Sequence, residues 1–102
     1  MPYMKPHNVL VIARKKGARG VENIEVKKGV ATSIDQFKRD LRQEGYSPIM
    51  QVSKKFIEKI GDCHDRKEVL EIVNNNCYYP SMIEPLTDFV LDHYLEMLDY
   101  LI

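Results

Sequence analysis

NVLVIARKKGARGVENIEVKK, residues 8 to 28, decides how the rest of the chain can fold. Residues 9–13 are apolar without interruption, the pattern of a strand covered on both faces and therefore central in its sheet. Beyond residue 20 the pattern alternates instead. Ile24 and Val26 fall on one side, Glu25 and Lys27 on the other, as in a strand with one face exposed. The loop between them contains Gly17 and Gly20, which can supply the positive φ that a tight hairpin connection requires. The stretch predicts a β-hairpin with strands over 8–14 and 21–28 and a basic tip.

The following residues extend this hairpin into a sheet. Ser33 and Gln36 have the spacing of a capping box, Ile34, Phe37 and Leu41 share one helical face, and Gly45 fits just past the helix end. Pro48 then limits a third strand, over 49–52, to an edge or a first strand position. A right-handed crossover from the second strand through the helix brings the third strand in parallel to the second. One place is left between them for the first strand. The predicted order is 2-1-3, in agreement with the first strand being the most apolar.

The second half reads as helical. Ser53 caps a short helix carrying Phe56, Ile57 and Ile60 that stops at Gly61. Asp65 and Glu68 form a second capping box ahead of Val69, Leu70, Ile72 and Val73, and three asparagines at 74–76 end that segment. A long terminal helix is expected over 86–101, with Pro85 in its first turn. The fold class is α+β: a small β-β-α-β sheet followed by a helical C-terminal half.

With 102 residues and an apolar fraction of 44%, one domain over 1–102 is expected. The charge is partitioned. Residues 1–60 hold 13 Lys and Arg against 6 Asp and Glu, and residues 61–102 hold 2 against 9, so balances of +7 and −7 cancel to a net charge of zero. Such asymmetry favours partner steering or attraction between the halves over an evenly mixed surface. The opening residues lack a signal-peptide pattern, and no run approaches the ~18 to 20 apolar residues of a membrane span. A cytoplasmic location is expected, with Cys63 and Cys77 as reduced thiols.

Cys63-His64-Asp65 contains the group types of nucleophilic catalysis and of zinc binding. Adjacent residues rarely aim their side chains at one another, and Cys77, His7 and His93 stand at spacings of no recognised metal pattern. A loop ahead of a helix capped by Asp65 accounts for the same residues. No P-loop, nucleophile elbow or dinucleotide fingerprint occurs. The expectation is a protein that is not an enzyme and uses neither cofactor nor metal.

Two surfaces remain as candidates. Arg14, Lys15, Lys16 and Arg19, with Lys27 and Lys28 near them in a hairpin, form a basic contact surface for a partner or for nucleic acid, since a two-stranded ribbon fits a nucleic-acid groove. The aromatic RNP pattern is missing, and lysines also keep a strand edge soluble. In the last helix Asp88, Asp92, Glu96 and Asp99 recur at spacings of four and three, giving an acidic face for a basic partner. Tyr94, Leu98 and Leu101 belong to an apolar arc wide enough to form a homodimer contact. In size and composition alone the chain resembles small regulators and inhibitors encoded by phages and mobile elements. The expected function is a non-enzymatic regulatory or inhibitor protein binding a protein or complex that handles nucleic acid. The alternative is direct RNA or DNA binding through the hairpin.

Overall fold

A computed structural model describes residues 5–18, 23–77 and 79–102. The elements are β1 (His7–Lys15), β2 (Ile24–Ala31), α1 (Ile34–Gln43), β3 (Tyr46–Val52), α2 (Lys54–Gly61), α3 (Arg66–Asn76), a 3-10 turn at Pro80–Met82, α4 (Ile83–Asp92) and α5 (Tyr94–Leu101). The sheet order is β2-β1-β3, with β1 antiparallel to both neighbours. The α+β class and the 2-1-3 order are as the hairpin reading requires. Arg19, Gly20 and the first two residues of the expected second strand lie outside the described residues.

Val9, Leu10, Val11, Ile12 and Ala13 are all buried. A strand points successive side chains to opposite faces, so the run divides between two cores. Val11 and Ala13 pack with Leu41, Ile34 and Phe37 of α1 on one face. Leu10 and Ile12 enter the larger core on the other face, built with α2 to α5. The sheet thus lies between α1 and a layer of four helices.

Two strands are longer than their side-chain pattern indicates. β2 runs on to Ala31 because β1 begins at His7 and offers a partner there, His7 standing opposite Ala31. β3 begins at Tyr46 and includes Pro48. Its register slips at that point: Ile12 faces Met50 while Ala13 faces Pro48, leaving Ile49 as an extra residue. A bulge on an edge strand is one of the few sheet positions that tolerate proline. It also turns Ile49 into the larger core beside Met50 and Val52, which strict alternation would forbid.

The helix starts are set by side-chain caps. Ser33, Ser53 and Asp65 accept from the backbone N–H groups of Gln36, Phe56 and Glu68. Neither expected capping box closes fully. The Gln36 side chain bonds Asp40 and Arg39 instead of reaching back, and Glu68 accepts from the N–H of His64, one residue before the cap.

The expected single terminal helix is instead two, α4 and α5, broken at His93. There φ is −108° and ψ is 11°, a conformation that lets the chain turn before the next helix. The His93 backbone N–H donates to the Phe89 carbonyl (3.0 Å), its Nδ1 lies 2.9 Å from the same oxygen, and the two rings stack at 4.0 Å. Sequence periodicity continues through this point, so hydropathy alone does not mark the break.

Gly45, at φ 94°, leads from α1 into β3, and a methyl group there would meet nothing within 4 Å. Gly45→Ala should therefore cost about 1–2 kcal/mol through backbone conformation alone, whereas Leu86→Ala, at a fully buried site, should cost about 2–5 kcal/mol by opening a cavity. Urea denaturation of both variants measures the difference.

Candidate functional site

The expected basic surface is divided by the sheet. Arg14 is half-buried, its Nη1 3.7 Å from the Met82 sulfur, which ties the hairpin to the turn before α4. Lys15 is exposed and stands opposite Tyr46. Lys16 donates from Nζ to the Arg42 carbonyl (2.9 Å) and from its backbone N–H to Gly45 (2.8 Å). A lysine there meets the negative end of the α1 dipole.

Lys27 and Lys28 point to opposite faces. Lys27 lies over the Tyr46 ring, 3.8 Å from its centroid, and 3.6 Å from Glu25. Its contact with Tyr46 raises the ammonium above the ordinary lysine value, burial opposes slightly, and the charge of Glu25 adds to the rise. Lys28 pairs with Glu96 of α5 at 2.9 Å and lies 5.7 Å from the Tyr100 ring centroid. Arg14, Lys15 and Lys16 share one end of the sheet; Lys27 reaches toward it over Tyr46, the residue opposite Lys15, whereas Lys28 lies on the other face with Glu96.

The acidic residues are also separated by their partners. Asp88, with Glu84, holds Arg66 of α3 at 3.0 and 2.7 Å. The hydrogen bonds that the guanidinium donates, to Asp88 first and then to Glu84, raise it further above its usual pKa. Glu96 belongs to Lys28. Asp92 and Asp99 are exposed, and among the described residues they form no ion pair. The break at His93 is what sends Asp88 toward α3 and Glu96 toward β2. Such exposed pairs add little to stability, so their main consequence is which charges remain uncompensated.

Tyr94, Leu98 and Leu101, expected at a dimer contact, are half-buried and pack against the larger core. The apolar side chains that α4 and α5 leave outside are Leu91 and Leu95, with Ile102 after them. The periodicity of one long helix could not distinguish these two sets, because the break changes which face is turned inward.

Each member of the Cys63-His64-Asp65 triplet has a local structural contact. The Cys63 thiol donates to the Lys59 carbonyl (3.3 Å), the His64 N–H donates to Glu68 (2.8 Å), and Asp65 caps α3. Burial, followed by the charges of Glu68, Asp62 and Asp65, pushes the Cys63 thiol up, away from the thiolate a nucleophile needs. Among the described residues no group of three His, Cys, Asp or Glu side chains is brought together in a metal-binding arrangement.

A cleft of about 540 Å³ opens where β2 and β3 end, with His7, Ser33, Ser53 and Lys54 in its walls. Its segments are far apart in the chain, so no local motif announced it. Ser33 and Ser53 direct their hydroxyls to their own helix starts. Among the described residues no helix is long and apolar enough to cross a membrane. Compared with protein-family models, curated proteins and solved structures, the chain matches none.

Two measurements check these electrostatic readings. Because the folded-state pKa of Lys27 is raised, its contribution is fully present below the unfolded value of about 10.4 and is lost as pH rises through the folded value. The stability gap between the wild type and Lys27→Met should therefore narrow from about pH 7 to about pH 11. Cys63 should alkylate with iodoacetamide more slowly at neutral pH than an unperturbed thiol, with mass spectrometry following the rate, because its raised pKa leaves less thiolate.

Proposed function

We propose that the chain is a small non-enzymatic regulatory protein of the cytoplasm that binds a protein or complex handling nucleic acid. It would act as an inhibitor or modulator of the kind that phages and mobile elements encode. The observation that carries this reading is the sorting of uncompensated charge. Lys28, Glu96, Arg66, Glu84 and Asp88 are paired within the chain, whereas Asp92 of α4 and Asp99 of α5 are exposed without ion pairs among the described residues. Exposed carboxylates on a helical surface suit a partner with a basic groove, and proteins that handle nucleic acid carry such grooves to hold phosphates. Complementary charge would speed the encounter and select the partner more than it would set affinity.

Direct binding of RNA or DNA by the hairpin is less well supported. It relies on a basic cluster, and Lys27 and Lys28 face opposite sides of the sheet, each with a carboxylate beside it.

Affinity capture from source cells, with nuclease treatment of the lysate, tests the proposal. A specific protein partner should survive the nuclease and should be lost with Asp92→Lys combined with Asp99→Lys. Capture that vanishes on nuclease treatment, together with a salt-sensitive gel shift on purified nucleic acid that Lys15→Glu with Lys16→Glu abolishes, would establish the hairpin reading in its place.

A further inference from the structure

The cleft at the end of the sheet lies between the two chain exits that lead out of it. β2 and β3 are both antiparallel to β1, so they finish at the same end. From there α1 covers the Val11 face and α2 the Leu10 face. Connections that leave a sheet on opposite faces open a crevice beyond the strand ends, and such crevices are where open sheets take ligands. Its volume of about 540 Å³ is in the range of small-molecule sites. The walls sort by chemistry. Val9, Leu10 and Val52, buried in the sheet, each present an edge to the cleft, with half-buried Leu101 beside them. Some of the polar groups are already engaged: His7 Nδ1 lies 3.2 Å from the Lys5 carbonyl, Asn8 donates to the Tyr100 carbonyl, and Ser33 and Ser53 cap their helices. Thr32, Gln51 and Lys54 differ, because among the described residues their side chains have no hydrogen-bond or ion-pair partner. Among the described residues no Asp or Glu lines the cleft, in a chain that has 15 of them. The ammonium of Lys54 is therefore uncompensated there.

We propose that this cleft binds a small organic monocarboxylate with a short apolar tail. Lys54 supplies the opposite charge, the Thr32 hydroxyl and the Gln51 amide are the hydrogen-bond donors in the same walls, and Val9, Leu10 and Val52 receive the tail. One ammonium balances one negative charge, whereas a phosphate monoester carries about −1.5 to −2 at neutral pH and would be left undercompensated. A neutral ligand would leave the ammonium unpaired beside apolar surface. The site shares no residue with the exposed carboxylates Asp92 and Asp99, so it stands independently of the partner that those carboxylates select.

Amide NMR on the isotope-labelled full chain tests the site, with hexanoate, hexanol and hexyl phosphate as probes that share one apolar tail. Hexanoate at millimolar concentrations should shift the backbone amides of Leu10, Thr32, Val52 and Lys54 along saturating curves, and hexanol should bind roughly tenfold more weakly or worse. Lys54→Met should weaken hexanoate by a similar factor and leave the rest of the spectrum in place, since this side chain is exposed. Hexanol binding as tightly as hexanoate, or hexanoate binding unchanged in Lys54→Met, would overturn the proposal. So would hexyl phosphate binding more tightly than hexanoate, which would assign the cleft to phosphate esters instead. Shifts that never saturate, or that fall on Lys38, Arg39 and Arg42 rather than on the cleft, would equally rule it out.

Discussion

Burial of β1 on both faces is the constraint on which the other elements depend. Five consecutive apolar residues cannot be covered by one layer, because alternate side chains leave the strand in opposite directions. At about 25 cal/mol per Å² of apolar surface removed from water, exposing either face would sacrifice two or more large side chains. The strand must also pair on both edges to satisfy its backbone. β2 and β3 provide the pairing, α1 covers Val11 and Ala13, and the helices that follow β3 cover Leu10 and Ile12.

This arrangement gives the two halves of the chain their electrostatic relation. The helical layer lies on a sheet bordered by lysines, and four polar contacts fasten the two: Arg14 to Met82, Lys28 to Glu96, Asn8 to the Tyr100 carbonyl, and the Tyr100 hydroxyl to the Gly29 carbonyl. One lies just before α4 and the others along α5, from Glu96 to Tyr100, so these helices are held at both ends of β1 rather than at a single point. The opposite sums of charge in the sequence are therefore only partly neutralised inside the molecule. Residues at the sheet surface find partners there, while Lys15, Asp92 and Asp99 are left facing outward.

Much of the fold was legible because its signals are local. The continuous run of residues 9–13 placed β1, the serine and aspartate caps placed the starts of α1, α2 and α3, and Pro48 limited β3 to an edge or a first strand position, of which the sheet shows the edge. The errors arose where a distant contact overrides the local pattern. β2 extends past Gly29 because β1 is there to pair with it, not because its side chains alternate. The terminal helix breaks at His93, where the backbone leaves the helical region and the ring stacks on Phe89, an event that leaves hydropathy unchanged. The candidate surfaces depended on orientation even more strongly. Adjacent lysines at 27 and 28 read as one cluster in sequence, yet strand geometry sends them to opposite faces. Asp88 and Glu96, alike in a helical projection, are claimed by Arg66 and Lys28 respectively.

The break at His93 therefore connects local backbone to surface chemistry. A straight helix over 86–101 would carry its carboxylates along one line and leave no reason for its two halves to meet different neighbours. With the break, α4 turns Glu84 and Asp88 toward α3, α5 turns Glu96 toward β2, and Tyr94, Leu98 and Leu101 pack inward. Leu91 and Leu95 are what the two shorter helices cannot cover at the same time. Their exposure places apolar surface beside Asp92, a carboxylate left without an ion pair among the described residues. Apolar area there favours association, while the neighbouring charge selects which surface can approach. The same bend that completes the core thus determines what remains for recognition.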